Sequence, residues 1–98
     1  MTKIFLERDG DRFTVSAKEH ANATEICAAV STLLYTLAGY LNNTHCPHDE
    51  RLEPGDARIC FIGEGEAIEA VWDMISIGFL QIQKSYPESV NIVRQVIE

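Results

Sequence analysis

Hydrophobic and polar residues alternate along two short stretches near the start of the chain. KIFLER (3–8) and RFTVSA (12–17) each place alternate apolar side chains on one face, and Asp9-Gly10-Asp11 separates them. Alternation with a period of two is typical of half-buried strands, and an Asp-Gly segment between such runs favours a tight turn. The pattern predicts an antiparallel hairpin at the start of the fold.

The next apolar segment, ICAAVSTLLYTLAGYL (26–41), contains no charged residue. Its apolar positions follow helical spacing, and Asn22 followed by Glu25 resembles a capping box that places Glu25 in the positive first turn. We expect a helix from about residue 23 to Leu41, where two asparagines end it. The segment is shorter than the ~20 apolar residues that a bilayer span needs. The sequence therefore predicts a core helix and no membrane contact.

The second half of the chain repeats this succession of strands and a helix. Residues 44–51 are polar and are predicted to form a connection, after which Leu52 and ARICFI (57–62) flank the turn sequence EPGD. Helical spacing then runs from about Gly65 to Pro87, and a last strand alternates through Val90 and Ile92.

The order β-β-α-β-β-α-β predicts an α+β fold, a two-layer sandwich in which two helices cover a mostly antiparallel sheet. With 98 residues the chain has the length of one small domain, and we expect a single domain over residues 1–98. An apolar helix face that the sheet leaves uncovered would become a contact between two copies, so we expect a homodimer. Trp72 and Tyr35 are candidates for either the core or that contact.

Charge and cysteine content narrow the partners and the compartment. Fifteen acidic residues against eight basic ones give a formal net charge of −7, which repels nucleic acids and anionic membranes and favours a basic polypeptide partner. Cys27, Cys46 and Cys60 are an odd number without disulfide-like spacing, and no apolar targeting run follows a basic segment at the start of the sequence. We expect a cytoplasmic protein with reduced cysteines.

His20 and Cys27 are the strongest candidates for catalytic residues. Cys27 shares a helical stripe with apolar residues, so it can be an ordinary buried thiol, and His20 can be a surface histidine at a strand end. The alternative is catalytic, because a thiol near the positive end of a helix, with a histidine beside it, is readily held as a thiolate. Spacing alone leaves both interpretations open.

Two other polar segments are weaker candidates. His45, Cys46 and His48, with Cys60 on a later strand, are metal-ligand types, but their separations form no recognised pair of zinc knuckles, and a polar loop is preferred. GEGEA (63–67) lacks the third glycine and the lysine of a phosphate loop. We expect neither a metal nor a cofactor.

Two segments carry a resemblance to a known family. The histidine of HA (20–21) followed by ICAAVSTLL on a helix resembles the histidine and the VCAAVS segment of the ribosomal-processing cysteine protease (Prp) family, and MISIGFLQIQKSYPESVNI (74–92) is similar to that family's second helix and YP step. With the leading hairpin, the similarity covers nearly the whole chain.

The resemblance implies a small homodimeric α+β cysteine endopeptidase that removes an N-terminal extension from a ribosomal protein, or a propeptide from a phage structural protein. On this chain, Cys27 matches the nucleophile, His20 its base and Ser31 the family's serine. The family commonly has glycine where this chain has Glu19, aspartate where it has Thr24, and a longer linker where only six residues, 21–26, intervene.

These differences leave two functions open. Either Glu19 or Glu25 supports a working Cys-His dyad by orienting the imidazole, although Glu25 is also explained as a helix-end charge. Or the chain is a catalytically inactive, homodimeric protein-binding module that kept the fold and lost the protease geometry when the linker shortened. The two hypotheses predict different reactivity for Cys27.

Overall fold

The computed structural model of the protein describes residues 1–19 and 23–97. Five strands and two helices form in these residues, in the predicted order β-β-α-β-β-α-β: β1 Thr2–Asp9, β2 Arg12–Lys18, α1 Thr24–Asn43, β3 His48–Glu53, β4 Asp56–Ile62, α2 Glu66–Ser85 and β5 Val90–Ile97. The fold is an α+β two-layer sandwich.

The strands form one mixed sheet in the order β3-β4-β2-β1-β5. Three neighbouring pairs are antiparallel, and β5 lies parallel to β1 because α2 carries the chain back across the sheet. The prediction of a mostly antiparallel sheet is therefore right. Gly10, with φ of +62°, makes the first turn, a conformation that glycine adopts without a Cβ clash.

The alternating residues of the strands produce a buried sheet face and an exposed one. Ile4, Leu6, Val15 and Ile59 are fully buried under the helices. Phe13 stacks on Phe61 at 5.0 Å between ring centroids and lies 5.2 Å from Trp72, which places Trp72 in the core. The buried residues of the strands and both helices form one hydrophobic cluster.

The apolar stripe of α1 packs on this sheet face. By length and composition alone α1 is sufficient to cross a membrane. In the fold, six residues along one side of the helix are buried instead: Ile26, Val30, Leu34, Leu37, Ala38 and Leu41. These positions recur every three or four residues, as a helix that faces a core requires.

The observed ends of α1 lie close to the predicted ones. The N-cap is Ala23, whose carbonyl accepts hydrogen bonds from the amides of Ile26 and Cys27, and the helix starts at Thr24 without a side-chain cap from Ala23. Asn22 lies outside the described residues, so the capping box stays a prediction. At the other end, α1 continues two residues beyond the predicted Leu41 and ends at Asn43, and the side-chain amide of Asn42 donates to the carbonyl of Ala38 at 2.9 Å.

The segment predicted as a polar connection contains part of a strand. β3 begins at His48 and pairs with β4 along one side only, so it is an edge strand. Its sequence, HDERLE, is almost entirely polar because an edge strand has little surface to bury, and a hydrophobic pattern therefore does not reveal it. β5 is likewise longer than predicted and reaches Ile97.

The two helices meet where α2 carries small residues. A Cβ on Gly78 would lie 3.0 Å from the methyl carbons of Leu33, so a glycine there allows α1 to pack closely. Ser76, two residues earlier, is 1% exposed, and its hydroxyl has no hydrogen-bond partner among the described residues. Burying a hydroxyl without a partner costs free energy.

We predict that Ser76→Ala stabilises the protein by about 1 kcal/mol, since it removes a buried polar atom that makes no hydrogen bond. Ala70→Ser, at an exposed position of the same helix, is the matched control and measures only the helix propensity difference of about 0.5 kcal/mol. Urea denaturation of both variants gives the two free energies of unfolding. A loss of stability in Ser76→Ala would contradict the prediction.

Candidate active site

A groove opens at one end of the sheet, beside the first two turns of α1. Its cavity volume is about 240 Å³. One wall is the α1 face that carries Cys27, Ser31 and Tyr35, and the opposite wall is the β3–β4 turn with its flanking residues, 52–57. Thr2, at the start of β1, and Ala17 and Glu19, at the end of β2, close the groove between these walls.

Cys27 faces this groove from the end of the first turn of α1. The side chain of Cys27 is half-buried. Because α1 begins at Thr24, Cys27 lies at the positive end of the helix dipole. Val30 and Leu34 form an apolar floor beside it. A thiol in this position is accessible from the groove, and it lies at the end of α1 where the helix dipole is positive.

Hydrogen bonds connect three segments of the groove wall. The backbone amide of Glu19 donates to the carbonyl of Gly55 at 2.9 Å, and the hydroxyl of Thr2 donates to the carbonyl of Glu19 at 3.2 Å. Gly55 follows Pro54 and has φ of +72°, the composition and conformation of a type II turn. The end of β2, the start of β1 and the β3–β4 turn are thereby held together.

The groove is acidic. Three carboxylates, those of Glu19, Glu53 and Asp56, line it, and none of its described lining residues is basic. Lys3 Nζ lies 3.9 Å from Glu19, and Arg51 Nη2 lies 3.1 Å from Asp56, both in exposed ion pairs. The groove therefore combines acidic side chains with the apolar side chains of Val30 and Leu34.

Comparison with known proteins identifies the family. The sequence profile of the family described as cysteine protease Prp matches residues 1–91. The chain belongs to the Prp cysteine protease family. No curated protein matches the chain.

Solved structures share the fold of this chain over nearly their full lengths. SMU.848 from Streptococcus mutans has a TM-score of 0.78 and 19% identity, with 98% of each chain covered. The ribosomal processing protease Prp from S. aureus, in complex with a covalently linked product peptide, has a TM-score of 0.83 and 15% identity, with 96% of this chain and 99% of that chain covered.

A second structure of the S. aureus Prp, in complex with a substrate peptide, has a TM-score of 0.75 and 10% identity, with 96% of this chain and 99% of that chain covered. At these identities the structural likeness concerns the fold. It places the two helices and the mixed sheet of this chain in the arrangement of the Prp structures.

The structure brings some of the candidate Prp site residues together. Ser31 lies four residues after Cys27 on the same face of α1 and also lines the groove, as does Glu19. Glu25 is exposed and does not line the groove, because two helical residues place it about 200° around the axis from Cys27. His20 lies outside the described residues, so its distance to Cys27 stays a prediction.

Several groove residues were not anticipated from the sequence. Thr2, the β3–β4 turn and Tyr35, which is 61% exposed, all line the groove. No local motif distinguishes them, because β1, β3 and β4 reach the end of α1 only through the order of the strands in the sheet. The Pro54-Gly55 step did signal a turn, but not the turn's position beside Cys27.

The second candidate cluster forms a hydrogen-bonded junction. Nδ1 of His48 lies 2.7 Å from the carbonyl oxygen of Cys46, and Nε2 lies 2.9 Å from Oε2 of Glu50, which also accepts from Asn42. Cys60 accepts from Thr14 on the sheet face away from the helices. Among residues 1–19 and 23–97, no three histidine, cysteine, aspartate or glutamate side chains converge in a way that could hold a metal ion.

This junction favours a charged imidazole. A carbonyl and a carboxylate only accept hydrogen bonds, so the imidazolium, which donates from both nitrogens, satisfies both partners of His48. The Cys46 carbonyl raises the pKa of His48 most, burial opposes it, and Glu50 and the charge of Asp49 raise it further. The contribution of His48 to stability is therefore present below its unfolded pKa of about 6.5 and is lost as pH rises through the higher folded pKa.

We predict that His48→Gln destabilises the protein more at about pH 5.5 than at about pH 9, because the glutamine keeps a polar side chain but does not titrate. Urea denaturation of the wild type and the variant at both pH values measures the difference. His45→Asn, which removes an exposed histidine of the same segment at a φ of +55° that asparagine tolerates, is the matched control. A His48→Gln effect that is equal at the two pH values would contradict the role of the imidazolium.

Proposed function

We propose that the protein is a cytoplasmic cysteine endopeptidase with a Cys27–His20 dyad, and that it trims an N-terminal or propeptide segment from a basic ribosomal or phage structural protein. The observation that carries the proposal is the position of Cys27, half-buried at the positive end of α1 and open to a groove. Membership of the Prp family and the peptide complexes of its S. aureus member support a protein substrate.

The proposed reaction is an acyl transfer in two steps. The Cys27 thiolate attacks the scissile carbonyl carbon, the C–N bond breaks, and the His20 imidazolium protonates the departing amine. His20 then takes a proton from water, whose oxygen attacks the thioester carbon, and the C–S bond breaks, which releases the acid and restores the Cys27 thiolate beside the His20 imidazolium. Backbone N–H groups at the start of α1 stabilise the oxyanion. Ser31 supports the site from the same face of α1, one helical turn after Cys27.

The acidic groove supports the proposed class of substrate. Its three carboxylates and the net charge of −7 favour an extended basic segment and disfavour nucleic acid. The apolar floor of Val30 and Leu34 would receive an apolar side chain of that segment.

We predict that iodoacetamide at about pH 6.5 alkylates Cys27 well before Cys46 and Cys60, and that His20→Ala slows this reaction about tenfold, because the thiolate loses its cation. Mass spectrometry of peptides from a time course gives the rate at each cysteine. His45→Asn is the matched control, since it removes an exposed histidine at a position with φ of +55°, which asparagine tolerates. Equal or absent labelling of Cys27 would contradict the enzyme proposal.

The second candidate function, an inactive homodimeric binding module, is favoured by an apolar surface outside the groove. On the outer side of α2, Met74 is 72% exposed, Ile77 57% and Leu80 37%. Exposed apolar patches on a small domain usually mark contacts with other proteins. An antiparallel pairing of α2 with its copy would also place Glu66 of one helix near Lys84 of the other. We propose this face as the homodimer contact in both functions.

We predict that Met74→Lys combined with Ile77→Lys converts a dimer into a monomer, since two buried charges would oppose association. Sedimentation equilibrium over a range of concentrations measures the mass, and Glu64→Lys, at an exposed loop position, is the control. A wild type that is monomeric throughout would refute the dimer. A wild-type dimer whose Cys27 is unreactive would favour the binding module over the protease.

A further inference from the structure

The two edge strands of the sheet have opposite compositions. β3, at one edge, has the sequence HDERLE, and charged side chains on an edge strand deter pairing with another chain. β5, at the other edge, has the sequence VNIVRQVI, in which five of eight residues are β-branched and apolar and Arg94 alone is charged. Val93 is 46% exposed, Val96 48% and Ile97 50%. A long apolar edge strand of this kind is a template for a further strand.

The bonds between β5 and β1 show which backbone groups of β5 face the free edge. The amide of Thr2 donates to the carbonyl of Ser89 at 2.9 Å, and the amide of Gly10 donates to the carbonyl of Ile97 at 3.2 Å. The parallel register between these ends is unbroken, so the odd-numbered residues of β5 bond to β1. The even-numbered residues direct their N–H and C=O groups away from β1.

These outward groups form a row along the free edge. Ile92, Arg94 and Val96 each present an N–H and a C=O, whereas Val90 presents only its carbonyl, because its amide donates to the carbonyl of Tyr86 at 3.1 Å. Among residues 1–19 and 23–97, no strand pairs with β5 on this side. The edge therefore offers a set of donors and acceptors that another strand would satisfy.

We propose that β5 pairs antiparallel with β5 of a second copy of the chain, about a two-fold axis at Val93, so that two five-stranded sheets become one sheet of ten strands. The inference rests on the homodimer of the proposed function. It adds the strand that joins the two copies and the register in which the strands pair.

Hydrogen bonding and charge select this register. With Val93 at the axis, Ile92 of each copy is opposite Arg94 of the other, and each such pair exchanges two hydrogen bonds. The amide of Val96 also reaches the free carbonyl of Val90. A shift by two residues in one direction places Arg94 opposite Arg94, and like charges directly opposite are destabilising. A shift in the other direction moves Val96 beyond the partner strand.

The same axis brings the exposed sides of the two α2 helices together. α2 packs on β5, and a perpendicular axis keeps both helices on one face of the joined sheet. With strands about 4.8 Å apart, the two helices come to roughly 10 Å, the spacing of packed helices. Gly78 lies against α1, so Leu80, about 200° around the helix, faces away from α1. The helices run antiparallel, which places Glu66 of one copy near Lys84 of the other.

Both grooves stay open in this dimer. The walls of the groove are α1 and the β3–β4 turn, and α1 contacts β3 and β4, at the edge of the sheet opposite to β5. The contact between copies and the binding of a polypeptide therefore use separate surfaces.

A cysteine at the axis tests the register. Opposite residues of a non-hydrogen-bonded pair have Cβ atoms about 4.5 to 5.5 Å apart, close enough for a disulfide after small adjustments. We expect Val93→Cys to form a disulfide-linked dimer under mild oxidation at least about tenfold faster than Gln95→Cys. Gln95 is the matched control, because it is exposed on the same face of β5 and its copies would lie roughly 13 Å apart along the strand. Mass spectrometry of non-reduced peptides distinguishes the new link from links through Cys27, Cys46 or Cys60.

A proline at the free edge tests the hydrogen bonds. Arg94→Pro removes an outward N–H and leaves the bonds to β1 intact, whereas Arg94→Ala removes the same charge and keeps the N–H. We expect Arg94→Pro to raise the dimer Kd at least about tenfold, because each copy loses a hydrogen bond, and Arg94→Ala to stay near the wild type. Sedimentation equilibrium measures the Kd, and thermal melts confirm folding. If Arg94→Pro does not fold, the disulfide comparison decides.

Two results would overturn the inference: Val93→Cys that links no faster than Gln95→Cys, or a folded Arg94→Pro that associates as tightly as Arg94→Ala. Either result with a dimeric wild type leaves the α2 contact of the proposed function in place. A wild type that is monomeric throughout removes the homodimer and this inference together. The endopeptidase proposal is decided separately, by the alkylation of Cys27.

Discussion

The packing of the α1 stripe on the sheet is the interaction on which the rest of the site depends. Burial of Ile26, Val30, Leu34 and the three residues that follow them in the stripe fixes the rotation of the helix about its axis. Each large apolar side chain in such a stripe contributes on the order of 1.5 to 3 kcal/mol when it leaves water. With the rotation fixed, Cys27, Ser31 and Tyr35 form the adjacent row and have to face the groove. A turn of the helix that buried Cys27 fully would expose that stripe.

The elements that depend on local periodicity could be predicted from the sequence. The alternation in β1 and β2, the two helices and the Pro54-Gly55 turn were all predictable, because apolar spacing and turn residues act over a few positions. The end of α1 was predicted two residues too early, at Leu41, because Asn42 and Asn43 are still helical, and the capping box at Asn22 stays a prediction. Local propensity is a weak guide at helix ends.

The candidate site was predictable only in part, for a related reason. Cys27 and Ser31 belong to one helix, and their shared face follows from their spacing. The opposite wall of the groove belongs to β3, β4 and the first residues of β1, which long-range pairing brings to α1. The φ of +69° at Glu19 was not anticipated either, because the hydrogen bonds that Glu19 makes there, to Gly55 and Thr2, join residues distant in the sequence.

The parallel pairing of β1 with β5 has a consequence for the order in which the protein becomes complete. β1 lies between β2 and β5, and the amide of Thr2 donates to the carbonyl of Ser89, more than eighty residues later. Contacts between residues this far apart in the sequence form late in folding, because the entropy cost of closing a long loop precedes any stabilisation from the contact. A chain emerging from the ribosome therefore has Cys27 on a formed α1 before Thr2 is fixed beside it. The groove beside Cys27 is therefore complete only when the last strand is in place.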